Sequence, residues 1–216
     1  ASLYITPPDE PVRALPILPE AHRLLREFHT PGSYRFEVIT KDLGQDVQNV
    51  ALLFSLFVDQ EPPPPERLFS KKIEPANPRE AEILLYKEVN QLRISRGLHP
   101  LKPFPLFESV AREHSAWMAS TGTLSHTIQG VTLGVPHHAS NLAHPRARHY
   151  ENIAVAFSAI EALELAKDSP GHLQTFLCGE CTHMSIGAAL EPVRQGAPRL
   201  FVTWEMLSFP HGIPQK

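Results

Sequence analysis

No stretch of this 216-residue chain is apolar for long enough to cross a bilayer as a helix. The most apolar run, Val50 to Val58, falls far short of the roughly 20 residues required. Charge of one sign is not in excess either: 20 Lys and Arg stand against 23 Asp and Glu, a formal charge of −3. The basic footprint of a nucleic-acid binder is missing, and no DNA or RNA partner is expected. Cysteine is scarce. Its two residues fall together in Cys178-Gly179-Glu180-Cys181, and a zinc ribbon would need a second such pair. Neither G-x-S-x-G nor H-E-x-x-H occurs, which removes the shortest routes to a serine hydrolase or a zincin-type protease.

What is present reads as globular protein, with 42% hydrophobic and 20% charged residues. The length suits one full domain with a small companion. Proline is abundant, at 22 residues, and clustered. Four consecutive prolines, Pro62 to Pro65, favour a stiff polyproline II spacer within residues 59–66 and mark a boundary there. The chain begins at Ala1, which suits a mature secreted protein and a trimmed chain equally.

Before the spacer, residues 1–65 suggest a small β-rich module of the immunoglobulin-like sort. Glu20 to Phe28 has the spacing of a short helix, with Ala21, Leu24, Leu25 and Phe28 on one face. After Thr30-Pro31-Gly32, the alternation of Tyr34, Phe36 and Val38 predicts a half-buried strand, and Asp42-Leu43-Gly44 a turn. Val47 to Val58 is apolar on both sides, the pattern of a strand buried between two layers.

Beyond the spacer, Asn77-Pro78-Arg79-Glu80 combines an N-cap, a first-turn proline and an acidic N3. The helix it opens carries Ala81, Leu84, Leu85, Val89 and Leu92 as its buried stripe and stops before Gly97. A second helix runs from near Pro105 to Gly122, with Phe107, Ala111, His114 and Met118 on one face. Thr123 to Tyr150 shows no sustained period and reads as irregular. Glu151-Asn152-Ile153-Ala154 then forms a loop before a helix whose capping box is Ser158 and Glu161, and Ser169-Pro170-Gly171-His172 opens the next helix. Met184 to Glu191 and Arg199 to Leu207 read as paired strands joined by a turn at Gln195-Gly196-Ala197-Pro198.

This order of elements, with Asn90, Arg93, Gly97-Leu98, Leu101, Ala111, His114, Met118 and His126, and then the Glu-Asn-Ile-Ala and Ser-Pro-Gly-His segments, Ile186-Gly187 and Phe201, resembles the CAP superfamily. That superfamily takes in cysteine-rich secretory proteins, antigen 5 and pathogenesis-related 1, and the likeness is to its compact bacterial branch. The resemblance covers roughly residues 79–208, within a domain placed at 77–210. It implies an α+β fold, an α-β-α sandwich around an antiparallel sheet, with a cavity of two histidines and usually two acids. Position by position these are His126, His172 and Glu151, with Glu161 or Glu164 as the candidate second acid. It also implies a protein that is secreted or held in the cell envelope or periplasm.

Two neutral imidazoles and a carboxylate are the ligands of a catalytic zinc site, so zinc or another divalent metal at His126 and His172 is one expectation. The bland alternative is that these histidines cap helix ends while Glu151 accepts bonds from nearby amides. The leading functional expectation is a non-enzymatic module that binds a lipid, a sterol or an envelope polymer. The alternative is a metal-assisted hydrolase with Glu151 as base. His137, His138, His144 and His149 invite a second metal site, but beside Arg146 and Arg148, with no sulfur or carboxylate ligands at finger-like spacing, they read as solvated surface. His114 reads as a core histidine. For Cys178 and Cys181, a local disulfide in an exported protein leads, ahead of free thiols and of a redox centre. Oligomeric state is left open.

Overall fold

The computed structural model of the chain describes residues 1–18, 23, 25–41, 48–62, 77–128, 131–132, 148–192 and 197–209. The chain divides into two compact units, Ala1–Ser70 with Lys167–Gln174, and Lys71–Ala166 with Thr175–Lys216. Pro63 to Pro65, the turn at 42–44, His137, His138, His144 and residues 195–196 lie outside the described residues. So do residues 20–22 and 24 of the expected helix at 20–28, whose described residues, 23 and 25–28, are irregular.

In the first unit, β1 (Ser2–Thr6), β2 (Arg13–Pro16), β3 (Gly32–Lys41) and β4 (Gln48–Val58) form one antiparallel sheet in the order β2-β1-β3-β4. Alternation does what the sequence implied. Tyr34 and Phe36 face inward with Leu3 and Ile5, and Phe28 closes over both aromatic rings at centroid distances of 4.8 and 5.5 Å. β4 differs from expectation. Among the described residues it is an edge strand bonded to β3 alone, and Val50, Leu52, Leu53 and Phe54 are 52, 51, 48 and 44% exposed. Among the described residues the strands of this unit make one sheet, so no second layer covers β4 as in a sandwich.

Glu37, on the opposite face of β3 from Phe36, is buried. It accepts hydrogen bonds from Ser169 Oγ and the Gly171 N–H, both at 2.6 Å. A Cβ at Gly171 would come 2.7 Å from Glu37 Oε2, so this close approach explains the glycine of the Ser-Pro-Gly-His segment.

The second unit holds α1 (Pro78–Ser95), β5 (Lys102–Pro103), α2 (Pro105–Thr121), β6 (Thr127–Ile128), β7 (Val131–Thr132) and β8 (Arg148–Ala156). They are followed by α3 (Ala159–Asp168), whose last two residues belong to the first unit, and by α4 (Pro170–Phe176), of which only the last two residues belong to the second. β9 (His183–Leu190) and β10 (Leu200–Ser208) complete it. The helix starts follow their local chemistry. Asn77 Oδ1 accepts the Arg79 N–H at 2.9 Å, and Ser158 Oγ accepts the Glu161 N–H at 3.1 Å while Glu161 returns a bond to the Phe157 N–H.

The sheet order is β5-β9-β10-β8, with β10 antiparallel to both long neighbours and buried at all nine positions. Leu200, Val202, Trp204 and Met206 face α1 and α3, whereas Phe201, Thr203 and Leu207 face α2. The result is the expected α-β-α layering. One expectation is corrected here. Glu151-Asn152-Ile153-Ala154 lies within β8, because residues 148–156 pair along their whole length with β10 and Ile153, Ala154 and Ala156 are buried.

Two polar devices lock these layers. Arg93 is buried and donates to the carbonyls of His99, Phe176 and Cys178 at 2.7 to 3.0 Å, which ties the end of α1 to the turn closed by the Cys178–Cys181 disulfide. α2 lies directly on β9, where a Cβ at Gly187 would meet the Ala111 carbonyl carbon at 2.1 Å. Among the described residues no helix is long and apolar enough to cross a membrane, which says nothing of a β-barrel.

Backbone cannot yield as a flexible side chain does, so Gly187→Ala must lift α2 from the sheet. The expected cost is about 3 kcal/mol, read as a lower urea midpoint. An unchanged midpoint would show that the two layers are not in contact there.

Candidate functional site

The site grows from one carboxylate. Glu151 projects from β8 toward the α2 side of the sheet, and both of its oxygens are taken by imidazoles. His126 Nδ1 lies 2.6 Å from Oε1, and His114 Nδ1 lies 2.9 Å from Oε2. His114 comes from the apolar face of α2 and is 1% exposed, whereas His126 precedes β6 and stays about one third exposed. Ser125 holds the turn that carries His126, its Oγ donating to the Thr127 carbonyl at 3.0 Å and accepting the Thr127 N–H at 3.1 Å.

Hydrogen-bond logic fixes the proton on His114. Its Nε2 lies 2.8 Å from the Ser125 carbonyl oxygen, which can only accept, and its Nδ1 faces a carboxylate, which also only accepts. Both nitrogens therefore donate, and the ring is an imidazolium. Burial opposes that charge, but the hydrogen bond and charge of Glu151 and the Ser125 carbonyl outweigh it, so the His114 pKa is raised above 6.5. Burial likewise opposes ionisation of Glu151, yet the two imidazoles hold its carboxyl down at about 2. His126 donates from Nδ1, which leaves Nε2 as its available nitrogen.

Beside this cluster lies a second carboxyl that the sequence reading missed. Glu205 sits directly across from Glu151 in the β8–β10 register and is fully buried. His149, two residues before Glu151 on β8, closes on its Oε2, and its Oε1 has no hydrogen-bond partner among the described residues. Burial raises the Glu205 carboxyl to about 7. The bond to His149 pulls the other way, while the nearby charge of Glu151 adds to the rise. The available signal was a lone acid in the otherwise uncharged run from Leu200 to Ser208, since a buried charge needs a partner.

Of the expected residues, His126 and Glu151 meet. His172 falls in the first unit, where its backbone N–H bonds Ser169 Oγ at 3.3 Å. Glu161 directs a carboxylate oxygen to the capping box of α3, and the acid facing Glu151 is Glu205. His149, expected as solvated surface, is drawn to Glu205 by strand register. His114, expected as core, is buried as expected but carries charge.

Ligand atoms of His114, Glu151 and Glu205 lie within 4.8 Å of one another, a His/Glu/Glu group compact enough to hold a metal ion. Its nitrogen and oxygen donors suit a divalent ion such as zinc. Occupation would require His114 to give up its Nδ1 proton.

Residues 86–204, just over half of the chain, match the family model described as CAP, the cysteine-rich secretory protein family. No curated protein matches. Among solved structures, an extracellular protein containing an SCP domain from Bacillus anthracis str. Ames is similar at 16% identity and a TM-score of 0.50, over 84% of this chain and 66% of that one. An outer surface protein from Borrelia burgdorferi is similar at 21% identity and a TM-score of 0.48, over 59% of this chain and 92% of that one. A cysteine-rich secretory protein from Staphylococcus aureus is similar at 17% identity and a TM-score of 0.46, over 62% of this chain and 40% of that one. The chain thus spans less than two thirds of the Bacillus and Staphylococcus proteins.

The charges fix a pH profile. Glu151, depressed to about 2, adds stability that is complete above 4.5 and lost as pH falls toward 2. Glu205, raised to about 7, favours the folded state fully below 4.5, and that contribution is lost as pH rises through 7. His114, also raised, adds stability below 6.5 that is lost above its folded value. Thermal melts across pH should therefore peak near pH 4.5, where the Glu151 contribution is complete and the Glu205 loss begins, and decline toward pH 7. Glu205→Gln should flatten the decline toward pH 7, and Glu151→Ala should cost about 3 kcal/mol at the peak. A profile unaltered by either substitution would refute the charge assignment.

Proposed function

The chain belongs to the cysteine-rich secretory protein (CAP) family, and on that premise we propose that it is an exported, non-enzymatic binding module. Its ligand is a lipid, a sterol or a cell-envelope polymer, engaged at the exposed edge of His126. The observation that carries this reading is the full commitment of Glu151. A general base works best with a pKa near the working pH. Glu151, at about 2 with both oxygens bonded to imidazoles, is several units too acidic to take a substrate proton near neutrality. The carboxylate is a clamp for two rings.

Export is supported by the Cys178–Cys181 disulfide, since such bonds persist in oxidising compartments outside the cytosol.

A divalent ion, zinc first, is the cofactor of this reading. The Glu151-to-Nδ1 bond of His126 is the carboxylate–histidine arrangement that orients an imidazole toward a metal through its other nitrogen. Bound there, the ion would supply a Lewis acid to a ligand oxygen. The metal-assisted hydrolase is the second reading. It needs a base other than Glu151, and Glu205, at about 7, is the one carboxyl of the cluster poised to exchange a proton near neutrality.

Calorimetric titration with zinc chloride separates these ideas. His126→Ala should weaken zinc binding at least tenfold. If the ion enters at His114, uptake should release about one proton, seen as heat that varies with the buffer. Zinc binding unaffected by His126→Ala would remove this role of His126. Zinc-dependent ester or peptide hydrolysis lost in Glu205→Gln would replace the binding module with the hydrolase.

A further inference from the structure

We propose that the uncharged edge strand β4 is a self-association surface, on which a second copy of this chain pairs antiparallel to extend the sheet of the first unit from four strands to eight. Among the described residues β4 is bonded on one side to β3, and its other side is the edge of the sheet. Natural edge strands usually carry lysine, proline, an inward charge or a short length to prevent pairing with another chain. β4 has none of these, and its one irregularity is the register shift between Val38 and Ile39, which leaves Ala51 without a partner on β3 and lies outside the Leu52 to Leu56 stretch. Its 11 residues, Gln48 to Val58, contain no charge, no proline and no glycine.

The side chains point to the occupant. Leu52, Phe54 and Leu56 lie opposite Val38, Phe36 and Tyr34 and so continue the apolar face of the sheet core toward the edge, with Phe54 stacked on Phe36 at 4.7 Å. They are nevertheless 51, 44 and 36% exposed. The order Leu-x-Phe-x-Leu reads the same in both directions. Antiparallel pairing about a two-fold axis at Phe54 therefore sets Leu52 of each copy against Leu56 of the other and brings the two Phe54 side chains together, the isologous contact of a symmetric dimer. Because the strand is uncharged, such pairing opposes no like charges, whereas a charged edge would repel its own copy at the two-fold axis.

Area sets the strength. The exposed parts of Leu52, Phe54 and Leu56, which share one face, amount to roughly 250 Å² per copy. Doubled, this lies below the 1,200 Å² or so of a standard stable interface. The dimer is accordingly weak, strengthened by main-chain ladder bonds, and forms at tens of micromolar, roughly 10–100 μM.

Sedimentation velocity on the full chain from about 1 to 200 μM should show a shift from monomer to dimer. Leu52→Lys places a cation at a half-exposed edge position and should weaken the dimer at least tenfold, with the circular dichroism spectrum unchanged. If that variant fails to fold, a cysteine pair of variants still decides. Opposed residues across an antiparallel pair lie about 4.5–5.5 Å apart at Cα, within disulfide reach. Phe54→Cys should therefore form a covalent dimer on mild oxidation, and Val50→Cys, which does not meet its own copy in this register, should not. A monomer at every concentration, a dimer untouched by Leu52→Lys, or equal cross-linking from positions 50 and 54 would overturn the proposal. A monomer that instead sediments with phosphatidylglycerol vesicles would assign the face to a membrane and overturn it as well.

Discussion

A single carboxylate held between two imidazole rings is the constraint around which the second unit is arranged. Glu151 joins the strand that carries it to α2 through His114 and to the turn before β6 through His126. Taking an acid and an imidazolium out of water costs several kcal/mol per ion, and that cost is offset only when each lone pair and proton finds a partner. Here both carboxylate oxygens and both nitrogens of His114 are bonded. The cluster specifies how α2, β8 and the 123–128 segment meet, and it leaves one polar edge, that of His126, open to solvent.

The neighbouring Glu205–His149 pair shows why the cluster is electrostatically unequal. Two carboxyls opposed across one strand pair cannot both ionise cheaply. The two rings on Glu151 decide which one does, and Glu205 takes the higher value. Packing reinforces this division. Gly187 lets α2 come down onto β9, and Ser115, from the same helix, bonds both the Gly187 carbonyl and Thr203 at 2.9 Å, so the helix that delivers His114 is seated without play.

Much of the frame was legible because its signals are local. Asn77-Pro78, Gly122 and the Ser158–Glu161 capping box each specify a helix end within four residues, and the resemblance carried by the ordered motifs implied the layers. What local signals could not convey was register. Glu151 opens a segment, Glu-Asn-Ile-Ala, whose polar start reads as loop, and only pairing with β10 makes it strand. The same pairing, invisible in one sequence, sets Glu205 against Glu151 and draws His149 out of what looks like a solvated histidine cluster. His114 was read correctly as buried, but an apolar helix face does not announce that it floors a charged site. β4 failed for a related reason: apolar residues on both sides of a strand describe equally a strand between two layers and an edge with one face uncovered.

Nitrogen-15 correlation spectra of the histidine rings at about pH 7 test the central arrangement most directly, since they report the proton on each ring nitrogen separately. The account requires His114 to carry protons on both nitrogens and His126 to carry one on Nδ1. A neutral His114, or a His126 protonated on Nε2 alone, would contradict it and release Glu151 from the role given to it here.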